Sequence, residues 1–491
     1  MTRALILGID GLDSQLLLGF KDYLHSFKKI IEHSPKIDFK SVFPPDSSTA
    51  WASIYTGLNP AKHGIVFFKD PFDSIAEDHQ RKNLTSIINF INERAFWKIA
   101  EKAGKKVCAL YPYLPILPSF PQTYPPELAE KYRGIFIEYE PLPLYSSYNL
   151  KKVIDLVKKR TINQAKIGLE IYNDFEWDVF FMYFPDLDNI EHIFWMYKDL
   201  TSLKNPYKDV IFDIYEFFDR EVVGKFLDIV KQDVIFIIVS DHGHTRRPTK
   251  IVNINEILRR VGFLNLKSER CAYIRSSIKK MIIRLMNEFR IARLLAQMAW
   301  RSLPKGLKDK YSSSQEIDYE ESIAVLSEPG RVEGLKTYNY AGVRIKEDLL
   351  KRDHELYEMI REKIIDILSR IKDPETSLKI VEWICKREEL YAGDYISKYP
   401  DVIFKLRDEW GVGSDVRSSI FATSYSYKIY SGMHNLATPT LLISLPNDQK
   451  DRYVFKRTKA CLIDFAPTVL ETLRVGAKGG FDGNSILEVK E

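Results

Sequence analysis

Four short apolar runs stand out along the chain, each breaking off at a turn signal or a polar residue. They are ALILGID (4–10), DVFFMYFPD (178–186), DVIFIIVSD (233–241) and TPTLLISL (438–445). Their apolar positions are near-continuous rather than alternating, the pattern of strands buried on both faces of a parallel sheet. Between them, 151–172 and 206–231 repeat apolar residues at helical spacing, and a further helix is expected near 464–474. This alternation predicts an α/β domain with a doubly wound, mostly parallel sheet. Ligands of such sheets bind beyond the carboxyl ends of the strands. Asp10, Asp188 and Asp241 lie at or just after three such ends, so residues far apart in sequence can converge there.

From about 245 to 430 the pattern changes. Residues 245–310 carry seventeen Lys or Arg against four Asp or Glu. Within that stretch Ile278, Ile282, Leu285, Phe289, Ala292, Ala296 and Ala299 fall on one helical face, with Lys279, Lys280, Arg284, Arg290 and Arg293 around them. The expected organisation is a catalytic core over 1–244 and 431–491. An inserted α-rich or α+β cap over 245–430 would cover the active edge of the sheet. Runs near 341–345 and 402–405 fit strands of either part. The basic helix over 276–301 has two readings: a solvated cap face over a buried apolar stripe, or a contact for an anionic membrane surface.

Composition bounds the picture without sharpening it. A chain of 491 residues is expected to form two or three domain-sized units. Hydrophobic residues at 45% and charged residues at 28% are ordinary for a globular protein, and the net charge of +5 is compatible with an anionic substrate. Nothing in it calls for specific nucleic-acid binding. The cysteines, Cys108, Cys271, Cys385 and Cys461, are far apart, which argues against a disulfide framework or a zinc ribbon. The N-terminus enters a strand at once, without a signal-peptide core, and no stretch reaches the length of a membrane span. The expectation is a soluble, cytoplasmic protein; the oligomeric state stays open.

Candidate chemistry changes the picture more. Asp188 and His192 are four residues apart and share a helical face. Asp241 and His242 are adjacent in Ser-Asp-His-Gly-His, and His434 stands in Ser-Gly-Met-His-Asn. With Asp10, these carboxylates and imidazoles suit two divalent ions such as zinc or manganese, with positions left for substrate. Singly, a strand-end Asp is more often a helix cap and a lone His more often structural; the ordered combination is what points to a site. Ahead of a helix-like run lies FPPDSSTAWASIYTGLNPAKHGI (43–65), where Ser47, Ser48 or Thr49 either caps the helix or serves as a metal-activated nucleophile. His244, two residues beyond His242, reads either as a support for a ligand or as a surface residue.

These residues resemble the alkaline phosphatase superfamily, in its type I phosphodiesterase/nucleotide pyrophosphatase branch. The matching motifs occur in family order: Gly8-Ile-Asp-Gly11, the hydroxyl motif leading to Thr56-Gly-Leu-Asn-Pro-Ala-Lys-His-Gly-Ile65, Asp188-x-x-x-His192, Ser240-Asp-His-Gly243 and Gly432-Met-His434. Asp464-Phe-Ala-Pro-Thr468 and Asp482-Gly483 resemble the family's C-terminal end. The resemblance implies a metal-dependent phosphoric ester hydrolase working through a phosphoserine intermediate. Its nucleophile lies nine positions before Thr56, at Ser47, with Ser48 the main competitor; the branch usually has Thr there. Asp10, Ser47, Asp241 and His242 would hold one ion, and Asp188, His192 and His434 the other, with the nearby Asp186 less well spaced from His192.

Two departures narrow the substrate. A sulfatase would need Pro and Arg where Thr49 and Trp51 stand. Nucleotide pyrophosphatases carry a phosphate-binding Asn at the position of Phe68, so Lys62, Lys69 or cap arginines would have to supply positive charge. The alternatives are a phosphotransferase like the cofactor-independent phosphoglycerate mutases, or a membrane-surface protein acting on phospholipid headgroups.

Overall fold

The computed structural model describes residues 3–72, 76–113, 123–132, 149–199, 205–231, 233–268, 281, 316–329, 337–424, 426–428, 430–476 and 480–490. The chain forms two compact units. One comprises Met1–Ile65, Asn83–Thr245 and Gly432–Glu491; the other comprises Val66–Lys82 and Arg246–Ser431.

The first unit is built on a six-stranded sheet of β1 (Arg3–Ile9), β2 (Val107–Leu110), β3 (Thr123–Tyr124), β4 (Val179–Phe184), β5 (Val234–Val239) and β6 (Leu441–Ser444), in the order β6-β5-β1-β4-β2-β3. β5, β1, β4 and β2 run parallel, while β6 and β3 pair antiparallel at the two edges. The run at 438–445 is thus an antiparallel edge strand, not a further parallel one. An apolar run looks the same in either direction, and an antiparallel edge on a parallel sheet is common.

The continuous apolar runs are explained by burial on both faces. Leu5, Leu7 and Ile9 of β1 join Phe180, Met182 and Phe184 of β4 and Val234, Phe236 and Ile238 of β5 in one core layer. Ala4, Ile6, Val179, Phe181, Tyr183, Ile235, Ile237 and Val239 form the other. Each large apolar side chain so buried contributes about 1.5–3 kcal/mol. Helix α1 (Ser47–Thr56) packs on the second face through Ala50, Trp51, Ile54 and Tyr55. Helices α2 (Leu150–Asp174) and α3 (Asp186–Asp199) contribute to the first. The helical pattern over 206–231 folds as Val210–Phe218, a π turn over Asp219–Gly224 and Lys225–Ile229. The C-terminal helix is Phe465–Thr472.

The second unit holds an antiparallel four-stranded sheet, ordered Ala324–Ser327, Tyr340–Ile345, Val402–Leu406, Val381–Lys386. Tyr357, Ile360, Ile364 and Leu368 of the helix His354–Ser369 pack in its core. The runs near 341–345 and 402–405 therefore belong to this sheet. Apart from Met281, the basic segment 276–301 lies outside the described residues, as does Cys271. Cys108, Cys385 and Cys461 are free thiols. Among the described residues no helix is long and apolar enough to cross a membrane.

Candidate metal centre

The three central strands end level with one another. Ile9 pairs with Phe184, Gly8 pairs with Val239, and Asp10 N–H donates to Phe184 O at 2.9 Å. Side chains that follow these ends are therefore delivered to one place. Gly11 makes the exit from β1 possible: its φ is +75°, and a Cβ there would stand 3.0 Å from Asp188 Cα and from His244 Cε1.

One cluster gathers Asp10, Asp241 and His242, all buried. Trp51 Nε1 and Tyr183 Oη donate to Asp10 Oδ2 at 3.2 and 2.5 Å, which leaves Oδ1 facing the cluster, 3.5 Å from His242 Nε2. Gly11 N–H donates to Asp241 Oδ1 at 3.2 Å, and Asp241 Oδ2 stands 3.2 Å from His242 Nε2. Ser47 Oγ lies 3.1 Å from the same nitrogen. The helix cap in this motif is Asp46, which accepts from Ser48 N–H at 3.1 Å, so Ser47 is the first helical residue and not the cap. The Thr56-Gly57 step closes that helix. Gly57 has φ +64° and its carbonyl accepts from Asp482 and Gly483, which ties the late Asp-Gly pair to the hydroxyl motif.

The second cluster contains Asp188, His192, His434 and a residue the motifs did not assign, His244. Asp188 Oδ1 lies 3.5 Å from His192 Nε2, 3.4 Å from His434 Nε2 and 3.3 Å from His244 Nε2. His244 is buried, which removes its surface reading. Its Nδ1 stands 2.6 Å from Oε2 of the equally buried Glu191. Asp186 is turned away into a buried ion pair with Arg160 at 2.9 Å, leaving Asp188 as the carboxylate beside His192.

Three imidazoles are set the same way. His192 Nδ1 lies 3.0 Å from Gly432 O, His242 Nδ1 3.2 Å from Gly243 O, and His434 Nδ1 2.7 Å from Pro45 O. A carbonyl only accepts, so Nδ1 carries the proton and Nε2 keeps its lone pair for a ligand. His192 Nε2 and His434 Nε2 then face each other at 2.9 Å, and two acceptors that close need a proton or cation between them. Among the described residues, Asp10 Oδ1, Asp188 Oδ1, Asp241 Oδ2 and His244 Nε2 are buried without a hydrogen-bond partner. Leaving such groups unmet is costly, and divalent cations would meet them all. The residues present therefore fit a pair of metal ions.

Electrostatics without metal agree. Burial, then repulsion from Asp241 and Asp188, pushes Asp10 well above the carboxylate range. Burial and Asp188 push Asp241 up to about 8. Burial also raises Asp188, but His192, His244 and His434 outweigh it and hold it well below its usual value. His242 is pushed well down by burial and by His434.

The model of the type I phosphodiesterase/nucleotide pyrophosphatase family matches residues 4–403. The chain belongs to this family. It is accordingly a phosphoric ester hydrolase of the alkaline phosphatase superfamily, and the family is metal-dependent. Among solved structures it is similar to human ectonucleotide pyrophosphatase/phosphodiesterase 5, with 15% identity, 98% of this chain and 97% of that chain covered, and a TM-score of 0.45. The murine protein of the same name, inactive and in complex with AMP, is 14% identical, with 99% and 98% covered and a TM-score of 0.46. No curated protein matches the chain.

Phe68 and Lys62, the two positions weighed for phosphate contact nearest the hydroxyl motif, are both otherwise engaged. Phe68 belongs to the second unit, where it is buried against Tyr399 with ring centroids 5.8 Å apart. An aromatic core residue has no donor for phosphate. Lys62 is ion-paired with Asp482, which also accepts from Asn59, so its charge is already engaged.

Proposed function

We propose that this hydrolase cleaves phosphate mono- or diesters with two divalent ions, zinc by preference and manganese as the alternative, and with Ser47 as nucleophile. The observation that carries this reading is Ser47 Oγ at 3.1 Å from His242 Nε2, beside the unmet oxygens of Asp10 and Asp241. Asp10, Ser47, Asp241 and His242 would hold one ion; Asp188, His192 and His434 would hold the other. Bound there, the ions would neutralise phosphate charge and lower the pKa of the Ser47 hydroxyl.

The chain's own residues do the rest. Trp51 and Tyr183 hold Asp10 in one orientation. Ser47, at the N-terminus of α1, places its oxygen where the helix dipole favours an anion. Ser47 Oγ attacks phosphorus in line, the bond to the ester oxygen breaks, and that oxygen takes up the proton lost from Ser47 and leaves as the alcohol, giving a phosphoserine. Water then attacks phosphorus, releases the phosphate product and returns the proton to Ser47.

The test is turnover of para-nitrophenyl phosphate and bis(para-nitrophenyl) phosphate by the wild type and by Ser47→Ala, both loaded with zinc. Loss of turnover in the variant, with metal content unchanged or lowered by its one hydroxyl ligand, is expected. Wild-type turnover by Ser47→Ala removes the assignment. The two substrates separate monoester from diester preference.

A further inference from the structure

We infer that His244 is a direct ligand of the second ion, held for that task by Glu191; the inference rests on the two-metal reading above. Three observations carry it. The Nε2 atom of His244 is fully buried, 3.3 Å from Asp188 Oδ1, and has no aligned hydrogen bond. The four candidate ligand atoms of Asp188, His192, His244 and His434 all lie within 4.8 Å of one another. On the far side of the ring, Glu191 Oε2 stands 2.6 Å from Nδ1.

Spacing favours ligation over a carboxylate–imidazole hydrogen bond. Donors bound at about 2.0–2.2 Å around a tetrahedral ion stand roughly 3.3–3.5 Å apart. Asp188 Oδ1 has three Nε2 atoms at 3.3, 3.4 and 3.5 Å, so His244 stands in the same range as His434 and His192. Glu191 supplies the second contact that metal-bound imidazoles carry: a carboxylate on Nδ1 fixes the tautomer and turns the ring. Glu191 is itself fixed by Tyr215 Oη, which donates to Oε1 at 2.8 Å and accepts from Asp13 N–H at 3.0 Å. Asp13 Oδ2 in turn accepts from His244 N–H at 3.0 Å. The ring is therefore placed by its backbone N–H and by the 2.6 Å contact of its far nitrogen with Glu191, and Nε2 faces the other ligand atoms. With four protein ligands the second ion would take a substrate oxygen only by expanding its coordination, as zinc sites do.

The test is cobalt(II) and zinc titration of metal-free wild type, His244→Ala, His244→Gln and Glu191→Gln, read by metal stoichiometry, affinity and the cobalt d–d spectrum. Both His244 variants should bind one ion normally and the second at least roughly 10–100-fold more weakly, with an altered spectrum. Glu191→Gln should show a smaller shift in the same direction. A zinc-loaded crystal structure of the wild type reads the contact without any variant, with His244 Nε2 expected about 2.0–2.1 Å from the ion. Two ions bound by His244→Ala with wild-type affinity and spectrum, or a zinc structure in which His244 bonds only Asp188, overturns the inference and leaves the two-metal reading intact. A wild type that binds no second ion at all overturns that reading instead.

Discussion

The two units bury charge in opposite ways. In the second, the buried Arg361, Asp401 and Glu256 are met by partners. Arg361 pairs with Glu358 at 2.8 Å and with Glu388, and also donates to Asp401 O. Asp401 accepts from Ile345 N–H and Tyr357 Oη, both at 2.7 Å, and pairs with Arg387 at 3.0 Å. Glu256 is held by Arg259 and Arg260 at 2.9 and 2.8 Å. In the first unit, Asp10, Asp188 and Asp241 crowd together with oxygens unmet. A fold can bury charge at modest cost only when it is paired; unpaired buried charge marks a candidate ligand site. The Arg160–Asp186 pair makes the contrast within one helix, two residues from Asp188.

That contrast breaks most directly at the chemistry. Asp241→Ala should lower turnover of a para-nitrophenyl ester by roughly 10³-fold or more, as loss of a group acting in a catalytic unit does. In the second unit Arg361→Met should cost about 1–3 kcal/mol of stability in urea, because it leaves the buried Asp401 carbonyl without its donor and removes the partner of the partly exposed Glu358 and Glu388, and added zinc should not change that cost. The first unit should behave in reverse. With chelator present, Asp241→Asn should raise the thermal midpoint at pH 7, by about 1–4 kcal/mol in stability, since the wild-type carboxyl, pushed up to about 8, must take up a proton to fold. With zinc present the same variant should lose the metal's stabilisation. If Asp241→Asn destabilises the metal-free protein as Arg361→Met does, the distinction between the units fails.

The apolar runs showed the sheet, because burial on both faces is written in residue type. The site's outline was legible for a related reason: Asp10, Asp188 and Asp241 follow strand ends, and the step from Asp188 to His192 is one helical turn. What the pattern hid depends on tertiary contact. His244 and Glu191 look like ordinary polar residues until burial and the 2.6 Å contact are seen. Asp46 rather than a hydroxyl caps α1, which only its bond to Ser48 N–H reveals. Asp186 was separated from Asp188 by spacing, but the reason is Arg160, 26 positions away on α2. That Phe68 belongs to the second unit's core follows from Val66–Lys82 folding there, which no local pattern announces.

Two smaller effects sharpen the comparison. Tyr183→Phe or Trp51→Phe removes one donor from Asp10 and should weaken metal affinity by roughly 10–100-fold with the fold retained, read by competition with a chelator. In the second unit, burial pulls Lys398 down to about 8, below its ordinary 10.5. A lysine whose folded pKa is depressed lowers stability when charged, so stability should rise as pH climbs from about 8 to 10.5. Lys398→Met should therefore be more stable than wild type at pH 7, with the difference closing by about pH 10.5, measured by urea unfolding at both values.

The central claim is that the unmet carboxylates and imidazoles of the first unit are a two-ion site for phosphate-ester hydrolysis. Zinc titration of the metal-free wild type, with para-nitrophenyl ester turnover followed at each point, tests it most directly. Two ions per chain are predicted, with turnover absent before the first and maximal at the second. Full turnover in chelator, or saturation with no ion bound at these residues, would contradict it.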